Sequence, residues 1–324
     1  MKILFICPNW AGLARPIVDE MRRQHHEVVH LDHSDFSDFS YADRTHRILA
    51  KAYQVLTKKS YKHYSTEKQI TRTINSFFLA REPFDMVIMT EPNLFSREQL
   101  TLIKNHSNTL VASLWDSLTK SPSNGANLDL FDTVFSYDIE DCEKFGFIKV
   151  NNYLDPTWIS DIAYDKCEYD VFSVMSFTKD RYKQAVKFLD ENKGIKPNIY
   201  FYVDHNRKRK YISDERIKVI DHIMLGGELK ENIQNSRAVL DLLQGHQAGL
   251  SFRVYESIGY QRKLITTNKS IQACELFIKQ NMHILDDTYY VPKELFSSSY
   301  LNQKRETLGK YSLKSWVEKV ASSI

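Results

Sequence analysis

MKILFICPNWAGLARPIVDEMRRQHHEVVHL, residues 1–31, decides the fold. Lys2 to Ile6 is a short β-rich apolar run, and Pro8-Asn9-Trp10-Ala11-Gly12 is a loop. Ala14 to His25 then reads as a helix with Ile17, Val18 and Met21 on one face. Glu27 to Leu31 is a second strand. A strand, loop, helix and strand in this order open a parallel sheet wound by helices. The first apolar run resembles the start of a secretory signal. Pro8, Asn9 and Trp10 end it at once and no small-residue cleavage site follows, so it reads as a first buried strand.

Moving outward, residues 44–81 read as mostly helical. Phe84 to Met89 is a third strand, Leu110 to Leu114 a fourth and Thr133 to Ser136 a fifth. Three successive strands run into polar loops: Thr90-Glu91-Pro92-Asn93, Trp115-Asp116-Ser117 and Tyr137-Asp138. In open parallel sheets, ligands sit at the carboxyl ends of strands, so these carboxylates are expected to line one crevice. Asn151 to Pro156 has the look of a domain crossover. Beyond it strands at 169–175, 198–203, 237–243 and 263–267 alternate with helices at 180–192 and 251–260. Leu308 to Ile324 reads as one amphipathic helix, with Leu313, Trp316, Val317 and Val320 at helical spacing. The expected domains are therefore 1–153 and 154–305, both α/β, followed by a tail helix over 306–324.

The 324 residues suit two α/β domains. The composition, 42% hydrophobic and 26% charged, is that of a globular protein rather than a disordered or fibrous one. No apolar stretch reaches the roughly 18 residues of a membrane span. Cys7, Cys142, Cys167 and Cys274 are scattered, without metal-ligand spacing, and read as reduced structural thiols of a cytoplasmic protein. No HExxH and no Asp-x-Asp pair argues for a bound metal.

The net charge of +3 hides a local asymmetry. Between Arg44 and Arg81 nine Lys/Arg face one acid, Glu67, among the aromatics Tyr53, Tyr61, Tyr64, Phe77 and Phe78. One reading is docking on an anionic membrane surface; the other is a solvated helical face. No nucleic-acid module accompanies the basic run.

The stretch richest in chemistry is Val239 to Asn268. A strand runs into the loop Gln244-Gly245-His246-Gln247-Ala248-Gly249-Leu250, and a helix starts near Ser251. A helix N-terminus offers free N–H groups and a positive dipole end, which suits a diphosphate. Arg253 adds a cation there. Glu256 follows on the same face and is able to accept ribose hydroxyls. The bland alternatives are a helix-capping Glu256 and a surface ion pair for Arg253. Asp241, inside the strand, needs a buried partner and reads as structural, and Asp138 reads as a helix N-cap.

The run AGLSFRVYESIGYQRKLITTN, residues 248–268, resembles the donor-binding segment of GT-B glycosyltransferases, in particular the bacterial lipopolysaccharide or capsule biosynthesis (CgeB-like) family. Leu114-Trp115-Asp116-Ser117, the segment Phe135 to Gly146, and Ser176-Phe177-Thr178-Lys179-Asp180-Arg181-Tyr182 match that family's motifs in the same order. The resemblance spans roughly residues 1 to 290. It implies two Rossmann-like domains facing each other across a cleft, acceptor-binding first and donor-binding second, with the C-terminal helix packing back on the first. It also implies transfer of a sugar from a nucleotide-sugar to a growing surface glycan, lipopolysaccharide, O-antigen or capsule, by a cytoplasmic enzyme; the basic run over 44–81 is what would place that enzyme peripherally on the inner membrane.

The resemblance further implies site residues. Donor binding falls to Ser176, Thr178, Arg181, His246, Gln247, Gly249, Leu250, Ser251, Arg253 and Glu256. If the reaction inverts the anomeric centre, the acids that end first-domain strands, Asp116 and after it Glu91, are the carboxylates for taking the acceptor proton. The partners are a nucleotide-sugar donor and a glycan or lipid-linked acceptor, with no cofactor and no metal. Two departures stand out: Ser176 replaces a usual glycine, and Ala248 stands where many retaining enzymes carry Glu. Inversion and retention both stay open. A nucleotide-sugar epimerase of the same fold and a non-catalytic assembly protein are the competing functions.

Overall fold

The structure is a computed structural model that describes every residue except 10–11, 35–38, 80, 246–247 and 323–324. The expected site residues His246 and Gln247 therefore lie outside the described residues. The chain divides into two compact units. The first holds Met1–Ser136, Asp141–Lys149 and Val320–Ile324, and the second Tyr137–Glu140 and Val150–Lys319.

In the first unit, β1 (Lys2–Ile6) is followed by α1 (Ala14–Arg23) and β2 (Glu27–Leu31). Two helices, α2 (Arg44–Thr57) and α3 (Tyr61–Phe78), lead to β3 (Phe84–Met89). Then come α4 (Arg97–Asn105), β4 (Ser107–Leu114), β5 (Thr133–Ser136), α5 (Ile139–Phe145), whose first two residues belong to the second unit, and β6 (Ile148–Lys149). The strands form one parallel sheet in the order β2-β1-β3-β4-β5-β6. Central strands covered on both faces need continuous apolar sequence. Ile3, Leu4, Phe5 and Ile6 of β1 and Met86 to Met89 of β3 are accordingly fully buried. α1 buries Ala14, Ile17, Val18 and Met21 and turns its arginines outward. The order reverses between β1 and β3, which is where a sheet of this kind leaves a crevice at its carboxyl edge.

The second unit repeats the plan. It contains β7 (Tyr169–Ser176), α6 (Lys179–Glu191), β8 (Pro197–Tyr202), β9 (Ile217–Ile220), α7 (Gly226–Gln234) and β10 (Ser236–Asp241). It continues with α8 (Phe252–Gly259), β11 (Lys263–Thr266), β12 (Met282–Ile284) and α9 (Lys293–Ser297). The parallel sheet runs β12-β11-β10-β7-β8-β9, and its reversal lies between β7 and β10. One core packs Val171, Phe188, Ile199, Phe201, Leu240 and Ile265 on the α6 side. Another packs Val254, Tyr255 and Ile258 of α8 against Leu264 and Met282.

The tail differs from the single helix expected over 308–324. It forms α10 (Arg305–Lys310) and α11 (Leu313–Ala321). Leu154 intervenes: its N–H donates to the Tyr311 carbonyl (2.7 Å) and its carbonyl accepts from the Leu313 N–H (3.0 Å). A backbone carbonyl committed to a strand-like bridge is lost to an i→i+4 ladder, so the helix breaks there. No helix among the described residues is long and apolar enough to cross a membrane.

Candidate functional site

The reversal between β7 and β10 concentrates the chemistry of the second unit. β10 ends on Asp241, whose side chain is buried between two hydroxyls. Ser251 Oγ donates to Oδ1 and Thr266 Oγ1 to Oδ2, both at 2.9 Å. Burial raises the Asp241 carboxyl, while these two hydroxyls and the nearby Arg181 and Arg253 pull it down. The carboxylate is thus the structural keystone expected of it, though it closes the strand instead of lying inside it.

Ser251 is the residue before α8, in extended conformation, yet its hydroxyl does not cap the helix because it is turned to Asp241. The helix start therefore stays open. Among the described residues, the amides of Leu250, Ser251, Phe252 and Arg253 meet no acceptor. Uncapped amides at the positive end of a helix dipole attract an anion.

Two guanidinium groups stand by this opening. Thr178 caps α6 by accepting from the Arg181 N–H (3.1 Å). The Arg181 side chain is fixed by its Nε, which donates to the Leu242 carbonyl (3.1 Å). Its two terminal nitrogens meet no acceptor among the described residues. Burial lowers its pKa, Asp241 raises it and Arg253 lowers it, which places all three groups within electrostatic reach of one another. A held guanidinium with its fork unengaged is preorganised for a bidentate oxyanion. Ser176, at the end of β7, is exposed beside this helix start.

Arg253, on the first turn of α8, is ion-paired with Glu256 one turn on. Glu256 is only 6% exposed. Burial pushes its carboxyl up, Arg253 pulls it down and Asp241 pushes it up again. Its carboxylate holds the Arg253 guanidinium. Neither bland reading describes the pair: Glu256 does not cap the helix, and the ion pair with Arg253 is largely buried instead of lying on the surface.

Gly249 also differs from expectation. Its N–H does not point to a ligand site. It donates to Asp138 Oδ2 (3.2 Å), as does the Ala248 N–H (3.1 Å), while Asp138 Oδ1 accepts from Glu140 (3.0 Å). Asp138 is therefore more than the cap of α5: it ties down the loop that leads into α8. The glycine is required by space, since a Cβ there would lie 2.3 Å from the Tyr137 ring and 2.9 Å from its carbonyl oxygen.

In the first unit, the register brings Cys7, His33, Thr90, Glu91 and Asp116 to the carboxyl edge of neighbouring strands. Glu91 is half-buried. Burial raises its carboxyl, Asp116 raises it further and Lys120 lowers it. Asp116 is ion-paired with Lys120 (2.6 Å) and accepts from Ser121 Oγ (3.4 Å). His33, which the sequence reading passed over, lies 3.7 Å from the Glu91 carboxylate. Both of its ring nitrogens are buried without a hydrogen-bond partner. Burial lowers its pKa, which keeps the imidazole neutral near pH 7. It follows the end of β2 by two residues, so the strand-end rule applied to β3 and β4 also marks it. Cys7 is no reactive thiol, because burial pushes its pKa far up.

No family model matches the chain, and no curated protein matches it. Solved structures do. The Anabaena protein HepE, in complex with UDP and glucose, is similar with a TM-score of 0.62 at 9% identity, over 100% of this chain and 99% of that one. The S. aureus protein MnaA, solved with UDP, is similar with a TM-score of 0.50 at 12% identity, over 99% of this chain and 95% of that one. At such identities the likeness is one of fold, and the fold, with its two parallel six-stranded α/β sheets, is that of the GT-B glycosyltransferases.

Proposed function

We propose that the chain is a glycosyltransferase that binds a nucleotide-sugar in its second unit and passes the sugar to a growing surface glycan. The observation that carries this reading is the open start of α8, where four unpaired amides stand with Arg181 and Arg253 at the strand-order reversal. That arrangement fits a diphosphate. HepE and MnaA, which share the fold, were both solved with UDP, which supports a UDP-sugar as donor. The four ordered motifs that resemble the lipopolysaccharide and capsule family support a glycan or lipid-linked acceptor at the membrane.

In this reading the acceptor oxygen attacks the anomeric carbon as its proton passes to a carboxylate, and the bond from the anomeric carbon to the diphosphate oxygen breaks. Charge grows on the leaving diphosphate. Arg181, Arg253 and the α8 amides stabilise it without a metal. Glu256 orients Arg253, and Ser176, Thr178, Leu250, Ser251, His246 and Gln247 shape the donor site. For the base we propose Glu91, supported by its half-buried, raised carboxyl. Asp116 is held by Lys120 and acts as the neighbouring anion that makes Glu91 more basic. His33 packs against Glu91 as a neutral positioning group.

The test is incubation with a panel of UDP-, GDP-, CMP- and dTDP-sugars, with EDTA present. Acceptor-dependent release of nucleotide supports transfer. Isomerised sugar without an acceptor indicates an epimerase, and no binding of any donor indicates a scaffold; either would replace the proposal.

A further inference from the structure

The two-helix excursion between β2 and β3 carries a surface that the fold leaves uncovered. On α2, Ile48, Leu49, Val55 and Leu56 are 66%, 62%, 78% and 83% exposed, and Ala52 between them is exposed as well. At 100° per residue these five side chains fall in one stripe about 120° wide, an apolar face of the kind that normally seeks cover.

The rest of the helix is already anchored. Ala50 is buried on the opposite face. On the same side, the Tyr53 ring lies 5.4 Å from both Tyr61 and Tyr64 of α3, and His46 Nε2 is 3.0 Å from the Tyr61 hydroxyl. The apolar stripe therefore faces away from α3.

Charge says what covers it. Arg44, Arg47 and Lys51 run along one flank of the stripe, and Lys58 and Lys59 follow its end. Among the described residues, none of the nine cations between Arg44 and Arg81 belongs to an ion pair. Cations elsewhere are often paired, as with Arg97–Asp129 and Lys104–Asp132. A second protein's apolar patch would satisfy the stripe and leave these cations unanswered. A nucleic acid would satisfy the cations and leave the stripe wet. An anionic bilayer satisfies both, with the apolar face at the acyl boundary and the cations among lipid phosphates.

We propose that α2 is an interfacial membrane anchor, lying in the plane of an anionic leaflet with Ile48, Leu49, Val55 and Leu56 inserted. The inference deepens the proposed function by placing the chain where a lipid-linked acceptor is found, but it is read out without turnover, so either fails alone.

The experiment is co-sedimentation of the full chain with phosphatidylcholine vesicles, with and without about 30 mol % phosphatidylglycerol. Partitioning at least about ten-fold stronger on the anionic vesicles is expected. The pair Val55→Asp, Leu56→Asp and the pair Arg47→Gln, Lys51→Gln are each expected to lower it about ten-fold or more. Both pairs alter exposed positions, and circular dichroism checks that they fold. As a readout on the unaltered chain, hydrogen exchange over residues 44–57 slows on anionic vesicles and that over α1 does not. Equal partitioning on the two vesicle types, or no loss in the aspartate pair, overturns the anchor. So does a dimer in sedimentation velocity that the aspartate pair dissolves while vesicles bind nothing.

Discussion

Replacing Arg253 with Ala separates the ion pair that the structure shows for this side chain from the catalytic role proposed for it. Its guanidinium holds the Glu256 carboxylate, and the proposed function also gives it the leaving diphosphate at the start of α8. Glu256 is 8% exposed in its side chain and Arg253 24%, so removing the arginine leaves a buried, unpaired carboxylate. Breaking a buried pair costs about 3–5 kcal/mol, and the partial exposure of Arg253 puts this one near 3. For a unit of this size that is a fall of roughly 6–12 °C in its unfolding temperature. Adding Glu256→Gln removes the stranded charge, so the double variant should regain most of the lost stability. Turnover should not follow: Arg253→Ala and the double variant should both stay about 100-fold slow, the scale for losing one preorganised electrostatic group. Thermal unfolding and nucleotide release, measured on wild type, both single variants and the double, give the full cycle. If Glu256→Gln brings turnover back along with stability, Arg253 serves the fold and not the leaving group.

Further predictions concern the remaining contacts. Glu91 has a raised carboxyl, so it takes up its proton at a higher pH than an ordinary glutamate, and the acid limb of kcat/KM should lie above the usual carboxylate range. Asp116→Asn removes an anion that raises it and should move the limb to lower pH, whereas Lys120→Gln removes a cation that lowers it and should move it up; limbs that stay fixed in both variants rule Glu91 out as the base. The same shift makes ionised Glu91 unfavourable in the fold, so its contribution to stability is greatest at low pH and is lost as pH rises through its folded pKa. Gly249→Ala puts a methyl group against Tyr137 and should cost about 1–3 kcal/mol by overpacking, with weakened donor binding; wild-type unfolding in urea would contradict the close approach. Asp138→Ala strands the Ala248 and Gly249 amides at about 1–3 kcal/mol each, so it should destabilise the second unit and raise KM for the donor; an unchanged KM would show that the loop needs no such tether.

Much of the fold is legible in the order of the elements. Apolar runs such as Lys2 to Ile6 and Phe84 to Met89 are long enough to declare themselves as central strands, and their alternation with helices is visible without pairing partners. The edge strands β6 and β12 are not, because two or three residues at a sheet margin carry no periodicity. The break at Tyr311 is illegible for another reason: Leu154, the residue that causes it, is far away in sequence. At the site, residue types near a helix start single out Arg253 and Glu256 as candidates, but whether they face a ligand or one another depends on side-chain geometry. The direction of the Gly249 amide likewise depends on Asp138, more than a hundred residues earlier. His33 shows the opposite case, a residue that topology marks once β2 is known to lie beside β1.

In the proposed function, the uncapped start of α8, with Arg181 and Arg253, holds a nucleoside diphosphate. A crystal structure of the full chain soaked with UDP tests it most directly. Diphosphate oxygens should lie within hydrogen-bond distance of amides between Leu250 and Arg253, with the free fork of Arg181 on the same group. UDP bound at another place in either unit, with those amides and that fork still unoccupied, would contradict it.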